Sequence, residues 1–167
     1  IDIKKVEKKI TNKTKGIIIV HMAGYACDIK NILRICKKHN LKLIEDCAHS
    51  IGTIYNKKHV GNFGETGCFS FYPTKQITTG EGGMVITNNK KVYNKLKKLK
   101  AFGIDKDIKD RKIPGQYDVK ILGYNFRMTD FQAAIGYFQI KRYKENLRLR
   151  KKLAKYYNFY LKKKKKS

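Results

Sequence analysis

The 167-residue chain is poor in acidic residues, poor in arginine and free of long apolar runs, and each scarcity closes a class of function. No stretch of about 18 apolar residues occurs, so nothing points to membrane insertion. The opening IDIKKVEKKI lacks the apolar centre of an export signal, and a cytoplasmic setting is expected. Cys27, Cys36, Cys47 and Cys68 show no short paired spacing, which speaks against a zinc ribbon or a disulfide framework and reads as reduced thiols. His21, His39 and His59 lack ligand spacing, so no metal site is expected and these three read as structural or surface residues. The glycines from Gly80 to Gly83 precede a strand rather than a helix, which excludes a Walker loop and a dinucleotide fingerprint.

What is abundant is lysine. Of 39 basic residues only six are arginine, against 13 acidic ones, and the formal net charge is +26. Such a charge fits a nucleic-acid or acidic-membrane partner. Arginine, the better fork for phosphates and bases, is not enriched, whereas lysine, isoleucine and asparagine all are. That bias reads as A/T-rich coding rather than as a binding surface. The apolar content of 41% is ordinary for one globular domain with a real core.

Taken in order, residues 1–12 read as a short amphipathic helix with Ile3, Val6 and Ile10 on one face. The run from Ile17 to Val20 reads as a strand buried on both faces, as in parallel sheets. Asp28 can cap a helix whose buried positions are Ile29, Ile32, Leu33 and Cys36. Leu41 to Ile44 then closes a β-α-β unit with a right-handed crossover, so an α/β fold with a mainly parallel sheet flanked by helices is expected. Thr53 to Tyr55 and His59 to Val60 flank a polar turn and read as a small hairpin. Strands follow at Cys68–Tyr72 and Met84–Thr87, then a helix carrying Val92, Leu96 and Leu99. Residues 103–120 read as a long mobile loop. Thr129 and Gln132 form a capping box that opens a long helix with Phe131, Ala134, Ile135 and Phe138 as its buried stripe. The helix becomes strongly basic beyond Lys141, and the run Lys162 to Lys166 is expected to be solvated and disordered.

One lysine stands in unusual surroundings. Lys75 follows a β-prone aromatic run and Pro73, which cannot continue a central strand, and precedes Thr78, Thr79 and the flexible glycine turn. An amine held beside an apolar strand is partly desolvated, which lowers its pKa and suits it to attack a carbonyl. Asp46 follows the strand ending at Ile44, and ligands of open α/β sheets bind beyond the carboxyl ends of strands. A carboxylate there can hold a proton on a heteroaromatic nitrogen, or it can cap a helix starting near Ala48. Phe71 and Tyr72 read as core rather than cofactor-stacking groups.

With Ser70, His49 and Asn125 added, the pattern resembles the DegT/DnrJ/EryC1/StrS family of sugar aminotransferases. The segments that carry the likeness are VHMAGYACDI (20–29), LIEDCAHSIG (43–52), VGNFGETGCFSFYPTKQITTGEGGMVITN (60–88) and LGYNFRMTDFQAAIG (122–136). The resemblance implies the large domain of an aspartate-aminotransferase-type (fold type I) enzyme dependent on pyridoxal 5'-phosphate. It implies that Lys75 forms the Schiff base with the cofactor and moves a proton once released, and that Asp46 pairs with the pyridine nitrogen. His49 would bond near the phenolic oxygen, where the family often has Gln, and Ser70 would bond to the phosphate. Asn125 would reach the cofactor phosphate of a neighbouring subunit, making a homodimer. The implied reaction transfers an amino group, from glutamate, to a keto group on a nucleotide-linked deoxysugar, as in surface polysaccharide synthesis. Relatives with histidine in place of Lys75 dehydrate instead.

The likeness covers only the middle of the family's length. Residues 1–150 correspond to part of the cofactor-binding large domain, and 151–167 to a basic helix end and tail that departs from the family. The start at Ile1 rather than Met also reads as a fragment. An N-terminal phosphate-binding segment and a C-terminal small domain are thus expected outside this chain, which alone would bind cofactor weakly or not at all and catalyse nothing. The competing readings are a basic nucleic-acid-binding module and a non-catalytic dimerising remnant. Neither requires Asp46, His49, Ser70, Lys75 and Asn125 together.

Overall fold

Gly16–Val20 forms β1, the first strand of a four-stranded sheet. The computed structural model describes residues 1–106 and 110–164. A helix, α2 (Ile29–Lys38), leads to β2 (Lys42–Asp46), which pairs with β1 in parallel from Gly16↔Lys42 to Val20↔Asp46. A two-stranded hairpin follows, β3 (Ile54–Tyr55) with β4 (Lys58–His59), turning through Asn56 and Lys57 at positive φ. β5 (Thr66–Ser70) then adds in parallel to β2, and β6 (Gly83–Ile86) returns antiparallel to β5, giving the order β1-β2-β5-β6. The sheet is mainly parallel, as expected. α3 (Lys90–Leu99) and α4 (Asp130–Lys164) complete the elements, together with a four-residue α1 (Ile3–Val6). No helix among the described residues is long and apolar enough to cross a membrane.

The local signals explain the element ends. Asp28 Oδ1 accepts the Asn31 N–H at 3.2 Å and starts α2, and Asn89 Oδ1 accepts the Lys91 N–H at 2.9 Å and starts α3. The capping box of α4 is reciprocal: Thr129 N–H donates to Gln132 Oε1 at 2.9 Å and Gln132 N–H to Thr129 Oγ1 at 3.2 Å. The predicted 1–12 helix shrinks to α1 plus a 3-10 turn, Glu7–Lys9. There Glu7 accepts from Lys38 Nζ at 2.7 Å and from His39 at 2.9 Å, contacts that hold its carboxyl down to about 2 and tie the amino end to α2.

Four expectations about burial are corrected. β1 is covered on one face only: Ile19 is fully buried, but Ile18 is 64% exposed, because α2 lies against one side of the sheet. In α2 it is Ile35, not Leu33, that joins Ile29, Ile32 and Cys36 inside. On α4, Phe131 and Phe138 are 76% and 59% exposed, and a polar row of the same helix makes the contacts instead. Phe71 is core but Tyr72 is not. Within the expected 103–120 loop, Ile104 and Val119 form a bridge, while residues 107–109 lie outside the described residues. α4 continues unbroken to Lys164, into the run expected to be disordered, and residues 165–167 also lie outside the described ones.

The covered face is built on a buried acid. Glu45 is fully buried on β2 and accepts four hydrogen bonds: from Gly61, Phe63 and Gly64 N–H, each at 2.7 Å, and from His21 Nε2 at 3.1 Å. His21 Nδ1 accepts the Cys27 N–H at 3.1 Å, which leaves the proton on Nε2 and aims it at Glu45. Burial alone would raise the Glu45 pKa, but these donors outweigh it and hold the carboxyl below its usual value. Gly61 takes φ +90°, and a Cβ there would sit 3.0 Å from the Phe69 ring, so glycine lets the loop reach the carboxylate.

A carboxyl depressed in the folded state adds stability above its unfolded pKa and loses it as pH falls through the folded value. Stability to urea is therefore expected to decline on acidification below about pH 4. At pH 7, Glu45→Gln should cost about 3 kcal/mol, since one amide nitrogen would face backbone N–H donors. A cost under half of that would remove Glu45 from the centre of the fold.

Candidate functional site

Alternation along the strands separates two faces. Glu45 points into the core with Ile19 and Phe69, so its neighbour Asp46 must point to the other face, level with Val20 and Cys68. Ser70 lies two residues beyond Cys68 and shares that face. Asp46 and Ser70 thus stand at the carboxyl ends of adjacent parallel strands, on the open side of the sheet. This is where α/β sheets bind ligands.

Each group has a bonding valence in hand. Asp46 Oδ1 accepts the Ala48 N–H at 2.9 Å, forming a turn and not the helix cap considered from the sequence, while Oδ2 has no partner among the described residues. His49 Nδ1 faces the Ala23 N–H at 3.5 Å, leaving Nε2 to donate. Ser70 Oγ accepts the Tyr72 N–H at 3.3 Å and keeps its own hydrogen. Lys75 is half-buried, and its amine has no hydrogen-bond or ion-pair partner among the described residues.

The Lys75 loop is firmly built. Ser70 pairs with Gly83 at its base, Phe71 N–H donates to Gly82 O at 2.8 Å, and Lys75 N–H closes a turn onto Tyr72 O at 3.0 Å. Ile77 is anchored in the core, and Gln76 Nε2 donates to the His49 carbonyl at 2.8 Å. That last bond joins the Lys75 and His49 loops. Asn125 stands apart from these four: it bridges to Ala101, and its Oδ1 accepts from Arg127 Nε at 3.0 Å.

A carboxylate and a hydroxyl at adjacent strand ends, with an imidazole and an amine unpartnered among the described residues on the loops that follow, form a donor set suited to a cofactor with a ring nitrogen, a phosphate and an aldehyde. The residues present fit pyridoxal phosphate. They do not fit a metal at the other acid cluster. The ligand atoms of His21, Glu45 and Cys47 lie within 4.8 Å of one another, but the imidazole and carboxylate are spent on each other and on backbone N–H groups. Burial pushes the Cys47 thiol up to about 12, which keeps it protonated and a poor ligand.

The sequence reading passed over Glu45, Gln76 and Gln139. Glu45 had a signal, since a strand carried two residues past Ile44 puts it on the buried side with Leu43. The two glutamines had none, as their partners are backbone groups of distant loops.

Residues 1–167 match the DegT/DnrJ/EryC1/StrS aminotransferase family. The chain is 42% identical over 152 residues to a GDP-perosamine synthase of Escherichia coli O157:H7, covering 91% of this chain and 40% of that protein. A solved Helicobacter pylori aminotransferase involved in the biosynthesis of pseudoaminic acid superimposes with a TM-score of 0.80 at 37% identity, over 86% of this chain and 38% of that one. A Streptococcus pneumoniae chain described as a sugar aminotransferase, in its PLP form, gives 0.82 at 28% identity, over 94% and 44%. The chain therefore spans under half the length of these proteins.

Two outcomes are expected at the His21–Glu45–Cys47 cluster. Added zinc should leave the thermal midpoint unchanged, and Cys47 should resist iodoacetamide at neutral pH until the chain unfolds, as read by peptide mass spectrometry. A zinc-dependent rise in the midpoint would show that the cluster is a metal site.

Proposed function

The chain belongs to the DegT/DnrJ/EryC1/StrS aminotransferase family, and we propose that it is the cofactor-holding part of a pyridoxal-phosphate-dependent nucleotide-sugar aminotransferase. The observation that supports this reading is that Asp46 and Ser70 stand at the carboxyl ends of adjacent parallel strands, while the loops after them, carrying His49 and Lys75, are joined by the Gln76–His49 hydrogen bond. Its family setting adds the substrate class: the E. coli relative is a GDP-perosamine synthase, and an H. pylori relative at 37% identity is a UDP-4-amino-4,6-dideoxy-N-acetyl-beta-L-altrosamine transaminase.

Pyridoxal phosphate, when bound, supplies an aldehyde carbon and a ring that withdraws electrons from the carbon bearing the amino group. Asp46 Oδ2 would keep a proton on the ring nitrogen. Ser70 Oγ–H would donate to a phosphate oxygen and His49 Nε2–H to the ring oxygen. Lys75 Nζ would hold the aldehyde carbon, then carry the proton between donor and acceptor carbons. Glutamate as amino donor, a keto group on a nucleotide-linked deoxysugar as acceptor, and a cytoplasmic homodimer completed by Asn125 are parts of the same proposal. So is the placing of the remaining phosphate contacts and substrate contacts in a longer protein.

Incubation with pyridoxal 5'-phosphate followed by borohydride captures even a transient occupant on the lysine that holds it. Selective labelling of Lys75 over the other lysines is expected. Lys75→Ala should abolish it, and Asp46→Asn should lower it by about tenfold. Even labelling across the chain would sink the reading.

A further inference from the structure

Among the described residues, the side-chain hydrogen bonds of α4 to the body of the protein come from one face and fall on the two loops of the candidate site. Gln132, Gly136, Gln139 and Tyr143 recur at helical spacing. Gln132 Nε2 donates to the Glu81 carbonyl at 2.9 Å, and a Cβ at Gly136 would lie 3.1 Å from Thr79 Cγ2, so the helix passes close against the loop there. Tyr143 Oη donates to the Ile51 carbonyl at 2.5 Å, where Gly52 takes φ +78° and any Cβ would meet the phenol oxygen. Between them Gln139 makes a paired contact: its Oε1 accepts the Thr78 N–H at 3.1 Å and its Nε2 donates to the Thr78 carbonyl at 2.9 Å. One side chain thus gives Thr78 both bonds that a neighbouring strand would give.

With the Gln76 bond to His49, these contacts close a ring: His49 loop, Lys75 loop, α4, and back through Tyr143. Lys75 has no side-chain partner among the described residues, so the amine takes its place from the backbone that carries it. The loop is tied by the Gln76 side chain to the His49 carbonyl and by Ile77 to the core, and its backbone is held at Thr78 by Gln139.

We propose that Gln139 is a positioning residue for Lys75, acting through the backbone of Thr78. The inference rests on the reading of Lys75 as the cofactor lysine. Gln139 need not touch cofactor or substrate. Its effect is to fix the loop so that the amine meets a carbonyl at a single place on the open face.

The test combines amide hydrogen exchange with the borohydride capture of pyridoxal 5'-phosphate on the same chain. In Gln139→Ala, the Thr78 amide should exchange at least about tenfold faster. The Thr79 amide, bonded to the Phe71 carbonyl at 3.0 Å, should not change and serves as the internal control. Capture at Lys75 relative to the other lysines should fall by about tenfold. Gln139→Glu keeps an acceptor for the Thr78 N–H and should retain both Thr78 protection and part of the capture. If the alanine variant does not fold, the glutamate variant decides by the same two readings. Unchanged Thr78 exchange in Gln139→Ala would show that the clamp is not made. Fast Thr78 exchange with Lys75 capture as in the parent would show that the clamp does not place the amine. Loss of selectivity in the parent chain itself would instead bring down the cofactor reading, and the inference with it.

Discussion

A fully buried carboxylate with all its donors in place is the constraint around which the rest of this structure is arranged. Glu45 cannot stay ionised in the core unless N–H groups converge on it. Those groups come from the 61–64 loop and from His21 just past β1. Satisfying one side chain therefore fixes where the loop before β5 runs and where the chain leaves β1. The neighbouring residue inherits the result. With Glu45 locked inward, the period of two turns Asp46 outward to the open face, and the register with β5 brings it beside the strand that ends in Ser70. Adjacent acids in one strand take opposite parts, one holding the scaffold and one turned to the open face.

The same division runs through α4. Its apolar residues Phe131 and Phe138 face outward, while glutamines and a tyrosine make its contacts with the body. Loops carry backbone groups that need partners, and amide and phenol side chains can supply them where leucine could not. A helix that braces loops is thus expected to be polar on its working side. The open sheet face and the outward apolar side of α4 belong to a chain that covers 40% of the length of its E. coli relative.

Much of the scaffold was legible in the sequence because its signals are local. Asp28 and the Thr129–Gln132 box begin their helices, the β-α-β pattern gives parallel pairing, and Asn56–Lys57 turns the hairpin. Lys75 and Asp46 stand out as candidates for the same reason: a proline, a glycine turn and a strand end mark them. Burial was less legible. An unbroken apolar strand reads as covered on both faces, yet Ile18 lies open, since coverage depends on what packs above and not on the strand. Likewise, periodicity found an apolar stripe on α4, while its packed face is set by the backbone polarity of loops 49–52 and 78–82. Gln139 and Thr78 are 61 residues apart, and nothing in the sequence near either one announces the other.

That separation bears on how the molecule assembles. Closing a loop costs entropy that grows with its length, so contacts near in sequence form before distant ones reward the chain. The strands from β1 to β6 are complete within the first 86 residues, whereas the Thr78–Gln139 and Ile51–Tyr143 bonds span 61 and 92. During synthesis the whole sheet leaves the ribosome before the α4 brace exists. Of the hydrogen bonds around the candidate site, those to Gln139 and Tyr143 are thus the ones whose second partner is made latest.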